Sequence, residues 1–119
     1  MYVPILKQGT LLIASVQSAL TDSDLRTLQN ELLAKVGELR SRGVIIDVTA
    51  LNVMDSFATR TLRNTAAMLN LRGAKTVIVG IQPEVALSMA QLGLTLDNVG
   101  TALDLEEGLM MLSAALRAS

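Results

Sequence analysis

Five residues in the middle of the chain, Val44-Ile45-Ile46-Asp47-Val48, constrain the fold more than any others. Four of them are β-branched and apolar, with no alternation of polar and apolar positions. That pattern marks a strand buried on both faces. Both faces are covered when helices flank a largely parallel sheet, so the run predicts an α/β domain.

The flanking segments agree. Leu25, Leu28, Leu32, Val36 and Leu39 recur at three- and four-residue spacing, which predicts an amphipathic helix before the strand. Thr21 and Asp24 stand in capping-box spacing at its start, with Asp where Glu or Gln is usual. Gly43 is expected to close it, after Arg40 and Arg42 in a last turn where cations suit the helix dipole. A second helix is predicted from about Phe57 to Arg72, stopped by Gly73. Thr76 to Val79 reads as another buried strand, and Pro83 as the first turn of a short helix ending at Gly93. A weak strand near Val99 to Ala102 precedes a last helix, where Asp104 and Glu107 again have capping-box spacing. At the start, Val3 to Leu6 and Thr10 to Val16 flank Lys7-Gln8-Gly9 and read as a hairpin. The expected architecture is a mostly parallel sheet of four to five strands with an antiparallel edge.

With 119 residues the chain is the size of one domain, and residues 1–119 read as a single unit. It contains neither His nor Cys, which excludes Ser-His-Asp and Cys-His catalysis and every imidazole or thiolate metal site. What remains for chemistry is carboxylates, Lys, Ser, Thr and the single Tyr2, so the chain is not expected to be an enzyme or to need a cofactor. A formal charge of −1 argues against nucleic-acid backbones as partners. Tyr2 and Phe57 alone make no base-stacking platform. No apolar run is long enough to span a membrane, and Met1-Tyr2-Val3-Pro4 does not begin like a signal peptide, so a cytoplasmic location is expected. The mean hydropathy of +0.46 is high for a small domain and implies either a densely filled core or an apolar partner surface.

Four places invite a functional reading beside a plain one. Asp47 ends the central strand, where ligands of open α/β sheets gather. A phospho-accepting aspartate would sit there, but the first strands supply no acidic cluster and Lys75 precedes its strand. A structural Asp47, bonded to loop amides, is the ordinary reading. At Asp55-Ser56 a helix begins, and Ser56 either caps it or presents a hydroxyl for phosphorylation where the helix N-terminus tolerates negative charge. Gly80-Ile81-Gln82-Pro83-Glu84 is a strand-to-helix turn with too few glycines to cradle phosphate. Arg60, Arg63 and Arg72 lie among the polar positions of the second helix, as a solvated face or as a rim for an acidic partner.

The order of hairpin, helix, Val44-Ile45-Ile46-Asp47-Val48-Thr49, Met54-Asp55-Ser56-Phe57 and Gly73-Ala74-Lys75 resembles STAS domains, the anti-sigma-factor-antagonist fold, over essentially the whole chain. Gly80-Ile81-Gln82-Pro83-Glu84-Val85-Ala86 and Thr101-Ala102-Leu103-Asp104-Leu105-Glu106 resemble the small proteins of the stressosome branch. The chain departs from the wider family where Phe57 and Ala58, instead of small residues and Gly, follow the Asp-Ser pair. The resemblance implies a phosphoacceptor at Ser56 and a cytoplasmic scaffold that joins STAS-containing paralogues in a large assembly, with a homodimer expected. It implies that this scaffold sequesters a serine/threonine switch kinase and releases it on phosphorylation. Asp55, Phe57, Thr59, Arg60 and Arg63 are the residues expected to meet a partner; Thr59, Thr76 and Ser88 are further candidate phosphoacceptors. The competing readings are a purely structural STAS subunit, a receiver-like phosphoaspartyl protein using Asp47, and a small-ligand module at the strand ends.

Overall fold

Local sequence decides where each element begins. In the computed structural model, which describes residues 3–96 and 99–118, a β-hairpin joins β1 (Ile5–Gln8) to β2 (Leu11–Ser15). The polar Lys7 and Gln8 belong to β1 and not to the turn, which is Gly9-Thr10. They are tolerated because β1 is an edge strand whose residues 6–8 face solvent. Tyr2 lies outside the described residues.

Helix α1 (Asp22–Leu39) starts with the expected capping box: Asp24 N–H donates to Thr21 Oγ1, and Thr21 N–H donates to the Asp24 carboxylate, each at 3.0 Å. Its end differs from expectation. Arg40, at φ 53°, takes the left-handed cap position, and no basic residue lies in the last helical turn. Gly43 instead opens strand β3 (Gly43–Asp47), because the backbone there passes close to two leucines. A Cβ at this position would meet Leu11 Cδ2 at 2.6 Å and Leu112 Cδ1 at 3.2 Å.

Helix α2 (Ser56–Leu71), strand β4 (Lys75–Val79), helix α3 (Pro83–Gln91), strand β5 (Gly100–Ala102) and helix α4 (Leu105–Arg117) complete the chain. Pro83 occupies the first turn of α3, as its fixed φ and missing N–H favour. The sheet has five strands in the order β1-β2-β3-β4-β5, with β1 antiparallel to β2 and every other pair parallel.

Two apolar layers sandwich this sheet. On one side Leu12, Ala14, Val44, Ile46, Val48 and Ile78 meet Leu28 and Leu32 of α1, Leu62 and Leu69 of α2, and Val85 and Met89 of α3. On the other, Ile13, Ile45, Val77 and Val79 meet Leu105, Leu109 and Leu112 of α4. Ile45 and Ile46 therefore point to opposite sides and are both fully buried, which is why their run shows no alternation. Burial of each such side chain contributes about 1.5–3 kcal/mol relative to exposure. The apolar excess is divided: Leu71, Leu87, Leu103 and Met110 are all more than half exposed.

Helices α1 and α2 run side by side in the same direction. Arg26 meets Phe57, the Gln29 amide donates to Thr65 Oγ1 at 2.9 Å, and Gly37 faces the Arg72 guanidinium, in the same order along both helices. Their N-termini therefore lie together at the carboxyl end of the parallel strands, and with them the loop that carries Asp55 and Ser56.

Candidate functional site

The β3–α2 loop is hung from several fixed points. Asp47 Oδ1 accepts from Thr49 N–H at 2.9 Å and from the Thr49 hydroxyl at 2.6 Å, so the carboxylate shapes the loop's first turn. Val48 N–H donates across to the Val79 carbonyl, and Leu51 N–H back to Val48. Leu51 and Met54 are buried, while Asn52 and Val53 point outward, with Val53 71% exposed.

The neighbouring strand-to-helix turn buttresses this loop. Gln82 Nε2 donates to the Thr49 carbonyl at 2.7 Å. Gly80 permits that approach: its φ is 81°, and a Cβ there would come within 3.0 Å of Thr49 Cα. The Gly80-Ile81-Gln82-Pro83 turn thus serves to position the loop. Nothing in the residues alone distinguished it from an ordinary helix start.

Asp55, not Ser56, caps α2. Asp55 Oδ1 accepts from Ala58 N–H at 2.8 Å, and the extended Asp55 backbone delivers its carbonyl to Thr59 N–H at 3.0 Å. Ser56 is the first helical residue and half-buried. The reading of Ser56 as a helix cap is therefore corrected: two adjacent cap-competent residues compete, and the path of the loop places the first in the cap position. Among the described residues no hydrogen bond from the Ser56 hydroxyl is present.

The five residues expected to meet a partner separate in the structure. Asp55 and Arg60 are exposed, and Phe57 and Arg63 are half-buried. Thr59 is fully buried beneath the first turn, with its hydroxyl unpaired. This corrects Thr59 both as a partner contact and as a second phosphoacceptor, since no kinase reaches a hydroxyl with no exposed surface. Thr76 is corrected as a phosphoacceptor for the same reason: it is 8% exposed within β4. Ser88 lies exposed on α3.

The cations are differently committed. Arg63 donates to the Thr95 carbonyl at 3.1 Å, and Arg72, beyond the end of α2, lies against Gly37. Arg26, which the sequence reading passed over, stands 5.3 Å from the Phe57 ring centroid in a cation–π contact. Its sequence signal was an Arg one turn into α1, visible as significant only once the two helices are known to be parallel. Beside the loop, Val16, Leu20, Leu51, Val53 and Asp55 help line a small, largely apolar pocket of about 100 Å³. Among the described residues no cluster of carboxylates capable of holding a metal ion occurs.

A five-stranded mixed sheet with an aspartate–serine pair at the head of α2 defines a class: the chain belongs to the STAS domain family, whose profile matches residues 2–108. Within it, the chain is similar to the proteins of the stressosome. It is 34% identical over 89 residues to the RsbT co-antagonist protein RsbRA of Bacillus subtilis, covering 75% of this chain and 32% of that protein. The matched segment thus spans about a third of that relative's length. Its structure matches a variant of Moorella thermoacetica RsbS, in which a glutamate replaces a serine, with a TM-score of 0.84 and 34% identity over 98% of this chain and 99% of the other. A chain from a structure of the molecular architecture of the stressosome matches with a TM-score of 0.77 and 32% identity over 96% and 99%. The anti-sigma factor antagonist SpoIIAA shares the fold, with a TM-score of 0.71 at 11% identity over 99% and 100% of the two chains. The chain carries a STAS domain similar to those of RsbS and RsbRA. No helix among the described residues is long and apolar enough to cross a membrane.

Proposed function

We propose that this protein is a non-enzymatic, cytoplasmic scaffold subunit of a stressosome-type assembly. In this reading it sequesters a serine/threonine switch kinase and releases it when Ser56 is phosphorylated. The observation that carries the reading is the division of labour at the head of α2. Asp55 does the capping, so the Ser56 hydroxyl has no structural task and stands at the loop–helix junction.

The similarity to RsbRA, a protein named as an RsbT co-antagonist, supports a partner of the RsbT kind. The near full-length match to RsbS supports assembly with larger STAS-containing paralogues. Exposed Leu71, Leu87, Leu103 and Met110 supply apolar surface for such contacts, including a homodimer.

The chemistry is phosphoryl transfer from ATP to Ser56 Oγ, with loss of the hydroxyl proton and release of ADP. It adds a charge of about −1.5 to −2 beside Asp55. The kinase supplies the catalysis; this chain supplies the acceptor. Asp47 is not the acceptor in this reading, because its carboxylate already holds Thr49.

The test is intact-mass measurement after incubation with the cognate switch kinase and ATP, with Ser56→Ala alongside. A single added phosphate, lost in the variant, supports the switch. No phosphate on a folded protein with an active kinase overturns it and leaves a structural STAS subunit.

A further inference from the structure

Four positively charged side chains stand near or along α2, and the structure gives three of them work. Arg26 is held over the Phe57 ring, Arg63 on the Thr95 carbonyl, and Arg72 against Gly37. Arg60 is exposed and, among the described residues, makes no hydrogen bond, ion pair or ring contact.

Its position relative to Ser56 is set by the helix. Ser56 is the first residue of α2 and Arg60 lies four residues on, both within Ser56–Leu71. At 3.6 residues per turn they are about 40° apart around the axis and one turn apart along it. Side chains in this relation are neighbours, roughly 5–6 Å between Cβ atoms, and an anion N-terminal to a cation is the favourable order. Phe57, and with it Arg26, is turned about 100° away from Ser56. Arg63 is nearly in line with Ser56 but two turns on, roughly 10 Å along the axis.

Resting on the reading of Ser56 as a phosphoacceptor, we propose that Arg60 receives the phosphate of phosphorylated Ser56 within the same chain. The guanidinium is a planar fork that pairs with two phosphate oxygens, which a point charge such as Lys matches less well. Phosphorylation then changes the site twice. It adds the phosphate's negative charge and removes Arg60 from solvent, so an acidic group of the kinase loses its cation at the same moment. The switch is a charge exchange inside the first turn of α2, with no movement of the sheet required.

The experiment isolates this step from the kinase by placing phosphoserine at 56 through genetic encoding and titrating it by phosphorus-31 NMR. A paired guanidinium favours the dianion and lowers the second phosphate ionisation. Arg60→Ala is expected to raise that midpoint by roughly 0.3 pH unit relative to the phosphorylated parent. Arg60→Lys, which keeps the charge but not the fork, should retain only part of the lowered value, and Arg63→Ala should leave it where it is. An unchanged midpoint in Arg60→Ala, or an equal rise in Arg63→Ala, overturns the proposal. Arg60 is exposed, so these variants are expected to fold, and circular dichroism of each sample verifies it. Kinase capture by the same phosphorylated samples separates the two readings. Undiminished capture would sink the release function of Ser56, while the NMR midpoints decide the role of Arg60 independently.

Discussion

The Gln82 side-chain amide reaches 2.7 Å to the Thr49 carbonyl and so ties the β4–α3 turn to the loop that presents Ser56. Two segments 33 residues apart in sequence thereby fix one surface. The link also explains why Gly80 precedes Gln82: the turn must pass against Thr49 with a left-handed backbone.

Gln82→Ala removes this tie while leaving Thr49 able to bind water, because the contact is exposed. The expected loss of stability is modest, about 0.5–1.5 kcal/mol. The larger effect falls on the loop: amide hydrogen exchange at Asn52 to Ser56 should accelerate, while exchange in β3 and β4 stays slow. Hydrogen exchange resolved by residue checks this, and unchanged loop protection would show that Asp47 and the buried Leu51 and Met54 hold the loop without help.

Gly80→Ala is expected to be more damaging than its size suggests. Its φ of 81° disfavours any Cβ, and the added methyl would press on Thr49. Left-handed backbone costs a non-glycine residue roughly 1–2 kcal/mol before the contact is counted. Urea unfolding should show a loss above about 1.5 kcal/mol, with an unchanged dependence on urea concentration.

Asp55 and Ser56 can be separated by stability alone. Asp55→Ala removes the acceptor for Ala58 N–H and should cost about 1 kcal/mol, whereas Asp55→Asn keeps a competent cap and should cost far less. Ser56→Ala should be within about 0.5 kcal/mol of the parent, since Ser56 is not the cap. A larger loss from Ser56→Ala than from Asp55→Ala, measured by thermal unfolding, would reverse the assignment of the cap.

Much of this fold was legible from the chain because the decisive signals are local. The unbroken Val44-Ile45-Ile46 run, the leucine spacing of α1, the Thr21–Asp24 box and Pro83 each depend on neighbours a turn or less away. The misread positions depend on distant residues. Gly43 looked like a helix stop, but what demands glycine there is Leu11 and Leu112, brought in from β2 and α4. Arg40 ends α1 in a conformation that nothing in its residue type announces. Thr59 reads as a surface position by composition, yet it lies on the face of α2 that carries Leu62, Ala66 and Leu69 into the core, and the Gln82–Thr49 tie has no sequence signature. The aspartate–serine pair was visible as a site; which of the two caps the helix was decided by the loop's path.

Arg26 and Phe57 bridge the N-termini of the parallel helices, with the guanidinium 5.3 Å from the ring centroid. Arg26→Ala should cost about 0.5–1 kcal/mol, and Arg26→Lys less. Because Phe57 is half-buried beside Ser56, the variant should also loosen the first turn of α2. Urea unfolding gives the cost, and exchange at Ala58 and Thr59 amides reports the local effect.

The kinase-binding variants follow from charge at an interface. If Ser56 faces the kinase as proposed, phosphate introduces an anion that the contact must desolvate or repel, at roughly 2–5 kcal/mol. At about 1.4 kcal/mol per tenfold, affinity should fall by roughly 30-fold to several thousand-fold. Ser56→Ala should therefore bind the kinase and fail to release it when ATP is added. Ser56→Asp carries less charge than phosphate and should fall short of the full effect while still binding measurably less well than the parent. Titration calorimetry with the kinase, at low and high salt, decides it. A deficit in Ser56→Asp that shrinks as salt rises identifies electrostatic repulsion, because exposed charges are screened beyond about 8–10 Å at physiological ionic strength. Parent-like affinity of both Ser56→Asp and the phosphorylated protein at low salt would instead place the kinase on another face of the domain.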